Sequence, residues 1–174
     1  TQWPKENLIT FTTKASGLVP GYMYSVNPQN KAFNKILGNI NGLTTLTSKD
    51  GEQVLFSNNT ASLRIYNTEN KETYSLNTNT LPEKCVWSND NENIYCMVPK
   101  NINRGYVYPD SWYQGETSFN DDLWKINTVN KTKVKIMEVV NEENTEEIDG
   151  FNLGLDKDES FLFKKKKKDY HLWM

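Results

Sequence analysis

No apolar run in the sequence approaches the roughly 18–20 residues that a membrane-crossing helix needs. That excludes a helical span within this chain. Histidine is nearly absent, with His171 alone in 174 residues. A Ser-His-Asp triad or a multi-histidine metal site would have to be built around that one residue. His171 reads instead as a strand residue, and no catalytic residue, metal or cofactor is expected. Arginine is almost missing too, with only Arg64 and Arg104. The formal net charge is −2, so the electrostatic footprint of a nucleic-acid binder is absent and no nucleic-acid partner is expected. There are two cysteines, eleven residues apart, a spacing that fits neither a Cys-x-x-Cys redox motif nor a zinc knuckle. The first residue is not Met, no signal peptide is visible, and the chain stops at Leu172-Trp173-Met174, inside an expected third strand. It therefore reads as an internal piece of a longer protein, and a membrane anchor, if there is one, would lie outside it.

What is present is a repeat. Hydrophobic residues make up 36% and aromatics 12% of the chain, and they fall in short alternating runs, the pattern of half-buried strands. The clearest unit is Thr45–Leu76, which holds four strands, an Asp-Gly turn and an Asn-rich turn. The Asn-rich turn recurs as VNPQNK at Val26–Lys31, YNTENK at Tyr66–Lys71 and INTVNK at Ile126–Lys131. Asn27 to Asn67 is 40 residues and Asn67 to Asn127 is 60. The other turn is marked by Asp50, Asp90 and Asp158, with 40 residues between the first two and 68 between the last two. A period of about 40 residues with four short strands marks a propeller blade. One four-stranded sheet cannot bury both faces alone, and stacking sheets around an axis buries them. The fold expected is thus all-β, a β-propeller fragment of about four blades of four-stranded antiparallel sheets. The blades run approximately 1–41, 42–80, 81–140 and 141–174, with an insertion at 99–119.

The turn sequences Trp87-Ser88-Asn89-Asp90-Asn91, Ser48-Lys49-Asp50-Gly51 and Asp156-Lys157-Asp158-Glu159 resemble those of the TolB-like family of β-propeller repeats, relatives of the WD-type repeats. The proline usual in that motif is missing from all three, and Asn often replaces Asp in the second turn. The insertion and the last two blades also resemble uncharacterised membrane-anchored propellers of small uncultured bacteria. The resemblance implies a non-catalytic binding or scaffolding domain of the cell envelope, making protein or ligand contacts. Two alternatives stay open: an accessory propeller of a larger hydrolase of the prolyl-oligopeptidase kind, and a carbohydrate-active propeller.

A hairpin turning at Asp90-Asn91 sets Trp87 opposite Ile94 and Cys85 opposite Cys96. Facing residues on antiparallel strands are close enough for a disulfide. Two buried free thiols are the other reading. The disulfide is the expectation carried forward, and with it an oxidising, extracytoplasmic setting. The paired acids Asp121-Asp122, Glu142-Glu143 and Glu146-Glu147, with Asp156 and Asp158, read as solvated turn residues, and Lys164–Lys168 as an exposed hairpin loop.

The insertion concentrates Tyr106, Tyr108, Asp110, Trp112, Tyr113 and Gln114, aromatics that no repeat position requires. They either tack the loop to the propeller face or form a contact surface for a protein or small ligand, a glycan included. It joins the second and third strands of one blade, so it belongs on the face of Asn58–Ala61 and the lysine run. At least Trp112 or Tyr113 is expected to be exposed beside Asp110.

Overall fold

The computed structural model describes residues 1–138 and 148–168, and the backbone of 172–173. His171 and the acids at 142–143 and 146–147 lie outside the described residues. The chain forms two compact units, Thr1–Pro82 with Gly105–Glu116, and Glu83–Arg104 with Thr117–Met174.

The first unit holds two four-stranded antiparallel meanders. One is β1 (Gln2–Lys5), β2 (Leu8–Thr12), β3 (Pro20–Val26) and β4 (Phe33–Asn41), and the other is β5 (Thr44–Thr47), β6 (Gln53–Ser57), β7 (Ser62–Asn67) and β8 (Thr73–Asn79). Alternation explains how they pack. In β7, Leu63 and Ile65 are buried while Arg64 between them is exposed. Strand β6 is covered on both faces, so Val54, Leu55 and Phe56 are apolar in succession. Val54 and Phe56 join Met23, Leu37 and Leu43 in the core shared by the two sheets. At the first strands the contact is polar: Thr10 and Thr47 hydroxyls lie 3.0 Å apart, and Gln2 brackets β5 through Thr45 O (2.8 Å) and Thr47 N (2.7 Å).

The second unit holds a four-stranded sheet and a three-stranded one among the described residues. The first is β9 (Cys85–Trp87), β10 (Asn93–Pro99), β11 (Asp121–Asn127) and β12 (Lys133–Met137); the second is β13 (Gly150–Leu155), β14 (Leu162–Lys166) and β15 (Leu172–Trp173). A short 3-10 turn, Pro82–Lys84, leads into β9. Met97, Leu123, Ile148 and Leu153 form its core. Cys85 and Cys96 face each other across β9 and β10 and are joined by a disulfide. The lysine run departs from the loop expected of it. Lys164–Lys166 lie within β14, with Lys165 paired to Phe151 and Lys166 to Gly150. Strand pairing to β13 outweighs like-charge repulsion here: these side chains are half-buried, and burial holds the Lys164 ammonium below its ordinary value.

The repeated turns have a repeated chemistry. In each Asn-rich turn the first Asn carboxamide accepts two backbone N–H groups: Gln29 and Asn30 at Asn27, Glu69 and Asn70 at Asn67, Val129 and Asn130 at Asn127. The second Asn, three residues on, accepts the N–H two residues beyond it. This is the side-chain mimic of a backbone turn that makes Asn favourable there. The following lysine takes the left-handed conformation in all three, with φ of 59°, 65° and 60° at Lys31, Lys71 and Lys131. A side chain at such a φ is disfavoured relative to Gly. Lys131→Gly is therefore expected to raise stability by about 0.5–1 kcal/mol in urea unfolding.

The Asp turns form a second family. Ser48 N bonds Gln53 O at 2.9 Å, Ser88 N bonds Asn93 O at 2.9 Å, and Asp156 N bonds Phe161 O at 3.2 Å. The left-handed residue is Gly51, Asn91 and Glu159 in turn. Each loop is thus four residues long, and Asp50 and Asp90 fix it by accepting the preceding serine hydroxyl. That hydroxyl and the Glu92 N–H hold the Asp90 carboxyl below its ordinary value.

Candidate functional site

The connection between β10 and β11 is closed at its base by Lys100 N donating to Asn120 O at 2.7 Å. Beyond that base, Gly105–Glu116 packs within the first unit. Its centre is one helical turn, α1 (Asp110–Tyr113), entered through Pro109 and left at Gly115, whose φ is 78°. Pro suits the first turn of a helix because the donor it lacks would be unpaired there, and Gly suits the exit. Tyr113 N donates to Pro109 O and Gln114 N to Asp110 O, both at 2.9 Å.

Three contacts hold this segment. Tyr108 N donates to Asn59 O at 3.1 Å, in the Asn58–Ala61 connection where strand order places it. The Asp110 carboxylate accepts the Gly17 N–H. The backbone also comes unusually close to Gly17 and Gly42. A Cβ on Gly17 would stand 2.2 Å from Val107 Cγ1, and one on Gly42 would stand 2.5 Å from Tyr108 O and 2.6 Å from Asn59 backbone atoms. Gly42 also has φ of 71°, so both the space and the conformation demand glycine.

The aromatic side chains divide. Tyr108 and Trp112 are buried, 1% and 4% exposed, while Tyr106 and Tyr113 are 41% and 49% exposed. Gln114 is exposed and Asp110 half-buried. Of the pair expected to leave at least one ring exposed, Tyr113 is the exposed one; Trp112 and Tyr108 are buried anchors and present no surface of their own, unlike the contact residues they were expected to be. Neighbours on a one-turn helix point about 100° apart, so burying Trp112 turns Tyr113 outward, with ring centroids 5.6 Å apart. The arrangement offers two exposed phenols and a carboxamide on an anchored base. That suits contact with a partner or a sugar, since Tyr gives a large amphipathic area at small entropic cost.

A second cluster lies in the second unit and escaped sequence reasoning. Lys84, wholly buried, donates to Asp121 at 2.7 Å and also to Asp149. Gly150 N adds a bond to Asp121 Oδ2 at 2.8 Å and Phe119 N one to Asp149 at 3.1 Å. The Lys84 ammonium also lies 5.0 Å from the centre of the Phe119 ring. Asp121 and Asp122 are not solvated turn residues, as expected, but 0% and 5% exposed. They open strand β11, and β9 and β13 begin beside the same cluster. Lys84 follows Glu83 in the turn that leads into β9, so the local sequence reads as a solvated charged turn and carried no signal of the cluster.

Asp121 Oδ1 is buried and has no hydrogen-bond partner among the described residues. Burial, opposed by Lys84, pushes the Asp121 carboxyl up to about 6. Folded Asp121 thus holds a proton that the unfolded chain releases from about pH 3.8 upward. Its contribution to stability falls as pH rises from there to about 6 and is constant above. Asp121→Asn is expected to remove this fall. The difference between the unfolding free energies of variant and wild type, measured from pH 4 to pH 7, should therefore slope through that window.

No family model and no curated protein matches the chain. Solved structures do. It is similar to TolB from Acinetobacter baumannii (TM-score 0.59, 10% identity), covering 97% of this chain and 40% of that one. It is similar to the tricorn protease (TM-score 0.61, 9% identity), covering 98% of this chain and 16% of that one. It is also similar to the C-terminal WD40 domain of Sif2 (TM-score 0.55, 10% identity), covering 98% and 55% respectively. The fold is that of TolB-like and WD-type β-propeller sheets, and the chain spans less than two thirds of each of these structures.

Proposed function

We propose that this chain is a non-catalytic binding module working outside the cytoplasm, with the Gly105–Glu116 segment as its contact surface. One observation carries the reading: Tyr108 and Trp112 are buried as anchors while Tyr106, Tyr113 and Gln114 are left outward. A loop that served packing alone would have no reason to hold two phenols in water on a braced turn. The disulfide supports the compartment, since such bonds persist where the surroundings are oxidising, and so does the likeness in fold to TolB. No helix among the described residues is long and apolar enough to cross a membrane.

The test uses a photo-crosslinking residue at position 113 and, as control, at Val129, which is 70% exposed elsewhere. A partner captured in cells from position 113 and not from 129, and lost with Tyr106→Ala, supports the reading. Equal labelling from both positions overturns it. A glycan array with wild type and Tyr113→Ala covers the sugar alternative. Tyr113→Ala is expected to change unfolding free energy by no more than about 0.5 kcal/mol, as for exposed positions generally.

A second reading has one supporting observation. Besides the tricorn protease, the chain is similar to the Pyrococcus horikoshii acylaminoacyl peptidase (TM-score 0.51, 15% identity), covering 75% of this chain and 23% of that one. Under that reading the sheets serve as an accessory domain of a hydrolase. A Gly-x-Ser-x-Gly segment in the same reading frame supports it, and a complete frame lacking one excludes that kind of hydrolase.

A further inference from the structure

A cleft of about 430 Å³ opens in the first unit, away from the Gly105–Glu116 segment, where the β1–β2 and β3–β4 turns meet the turns of the second sheet. Its charged lining is of one sign. Lys5, Lys35 and Lys71 stand around it, Ser25 and Asn34 supply neutral polar groups, and no carboxylate lines it. None of the three lysines is ion-paired among the described residues. Two of them are held in place by other contacts. Lys35 lies over the Tyr22 ring, 5.6 Å from its centre, and Lys71 donates to the Thr68 carbonyl. Lys5 crosses the Gly51 turn, its Nζ 3.7 Å from where a Cβ on Gly51 would stand. The cleft's size falls within the range of small-molecule sites, about 300–1,000 Å³.

In a chain whose formal charge is −2, three unpaired ammonium groups around one cavity run against the overall balance. Like charges brought together repel unless an anion sits among them. Arginine, whose planar fork matches carboxylates and phosphates alike, does not line the cleft. Lysine acts instead as a point charge suited to a phosphoryl group. We infer that this cleft binds a small, multiply charged phosphoryl compound, with Lys5, Lys35 and Lys71 as its charge partners and Ser25 and Asn34 donating to its oxygens.

Inorganic pyrophosphate is the probe, titrated calorimetrically into the folded chain at low salt. Saturable binding is expected, weakened about three- to fivefold by each of Lys5→Gln, Lys35→Gln and Lys71→Asn, as for single exposed charge contacts. The triple variant should lose it, while Lys133→Gln in the second unit leaves it intact. Circular dichroism confirms that each variant is folded, and Asn suits position 71 because it tolerates the left-handed φ. Citrate is the comparison anion and should bind at least tenfold more weakly. Absence of binding, indifference to the three lysines, or equal affinity for citrate overturns the proposal. Because no residue of the Gly105–Glu116 segment is involved, the result is independent of the contact surface proposed above.

Discussion

Lys84→Ala is expected to cost the second unit about 3–5 kcal/mol, the usual penalty for removing one partner of a buried ion pair. The reason is in the partners left behind. Asp121 and Asp149 are 0% and 6% exposed at their side chains and meet at the same ammonium group. Without it, two carboxylates face each other out of water, and at least one must take up a proton to stay folded. The loss should therefore be smaller at pH 5 than at pH 8, where protonation is hardest. Urea unfolding at both pH values measures it. Asp121→Asn in the Lys84→Ala background should recover part of the loss, because it removes one of the two like charges. A cost below about 1 kcal/mol at pH 8 would mean that the cluster is solvated, contrary to its burial.

Trp112→Ala is expected to cost about 3–5 kcal/mol where the Gly105–Glu116 segment is docked, in line with other buried aromatic truncations. The indole is 4% exposed, and no neighbour on a single helical turn can slide in to replace it. Hydrogen exchange is the measurement, because the effect should be local. Amides bonded within the segment and to it, Ser111, Tyr113, Gln114 and Tyr108, should lose protection while those of β6 and β7 keep theirs. Tyr113→Ala, at the next position, should leave all of them unchanged. Equal behaviour of the two variants would refute the division between anchor and surface.

The sequence carried the parts of this architecture whose causes are local. An Asn that caps its own turn, or a Ser-x-Asp that closes a hairpin, acts within five residues, so Asn27, Asn67 and Asn127 could be aligned by eye. The pairing of Trp87 with Ile94 follows from the position of the turn at Asp90-Asn91. Strand order then places the connection after β10 beside Asn59. The lysine run has the composition of a loop but the pairing of a strand, because β13 offers backbone partners to Lys165 and Lys166 whatever their charge. The Lys84 cluster was illegible for a different reason. Its members lie 37 and 65 residues apart, and nothing in the neighbourhood of Asp121 distinguishes it from a solvated turn acid. The orientation of Trp112 against Tyr113 was equally hidden, since adjacent positions on a single turn differ only in what lies opposite.

The Gly105–Glu116 segment leaves the second unit's β10 and returns to its β11, yet packs with the first. The chain therefore passes between the units at three places, near residues 82, 104 and 116. Neither unit is a contiguous stretch of gene. A fragment ending at Pro82 would lack the backbone that lies against Gly17 and Gly42, two residues kept free of side chains to receive it. Shuffling or duplicating one unit by simple recombination would leave that seat empty. Dissecting it in the laboratory calls for a circular rearrangement or for supplying the twelve residues as a separate peptide.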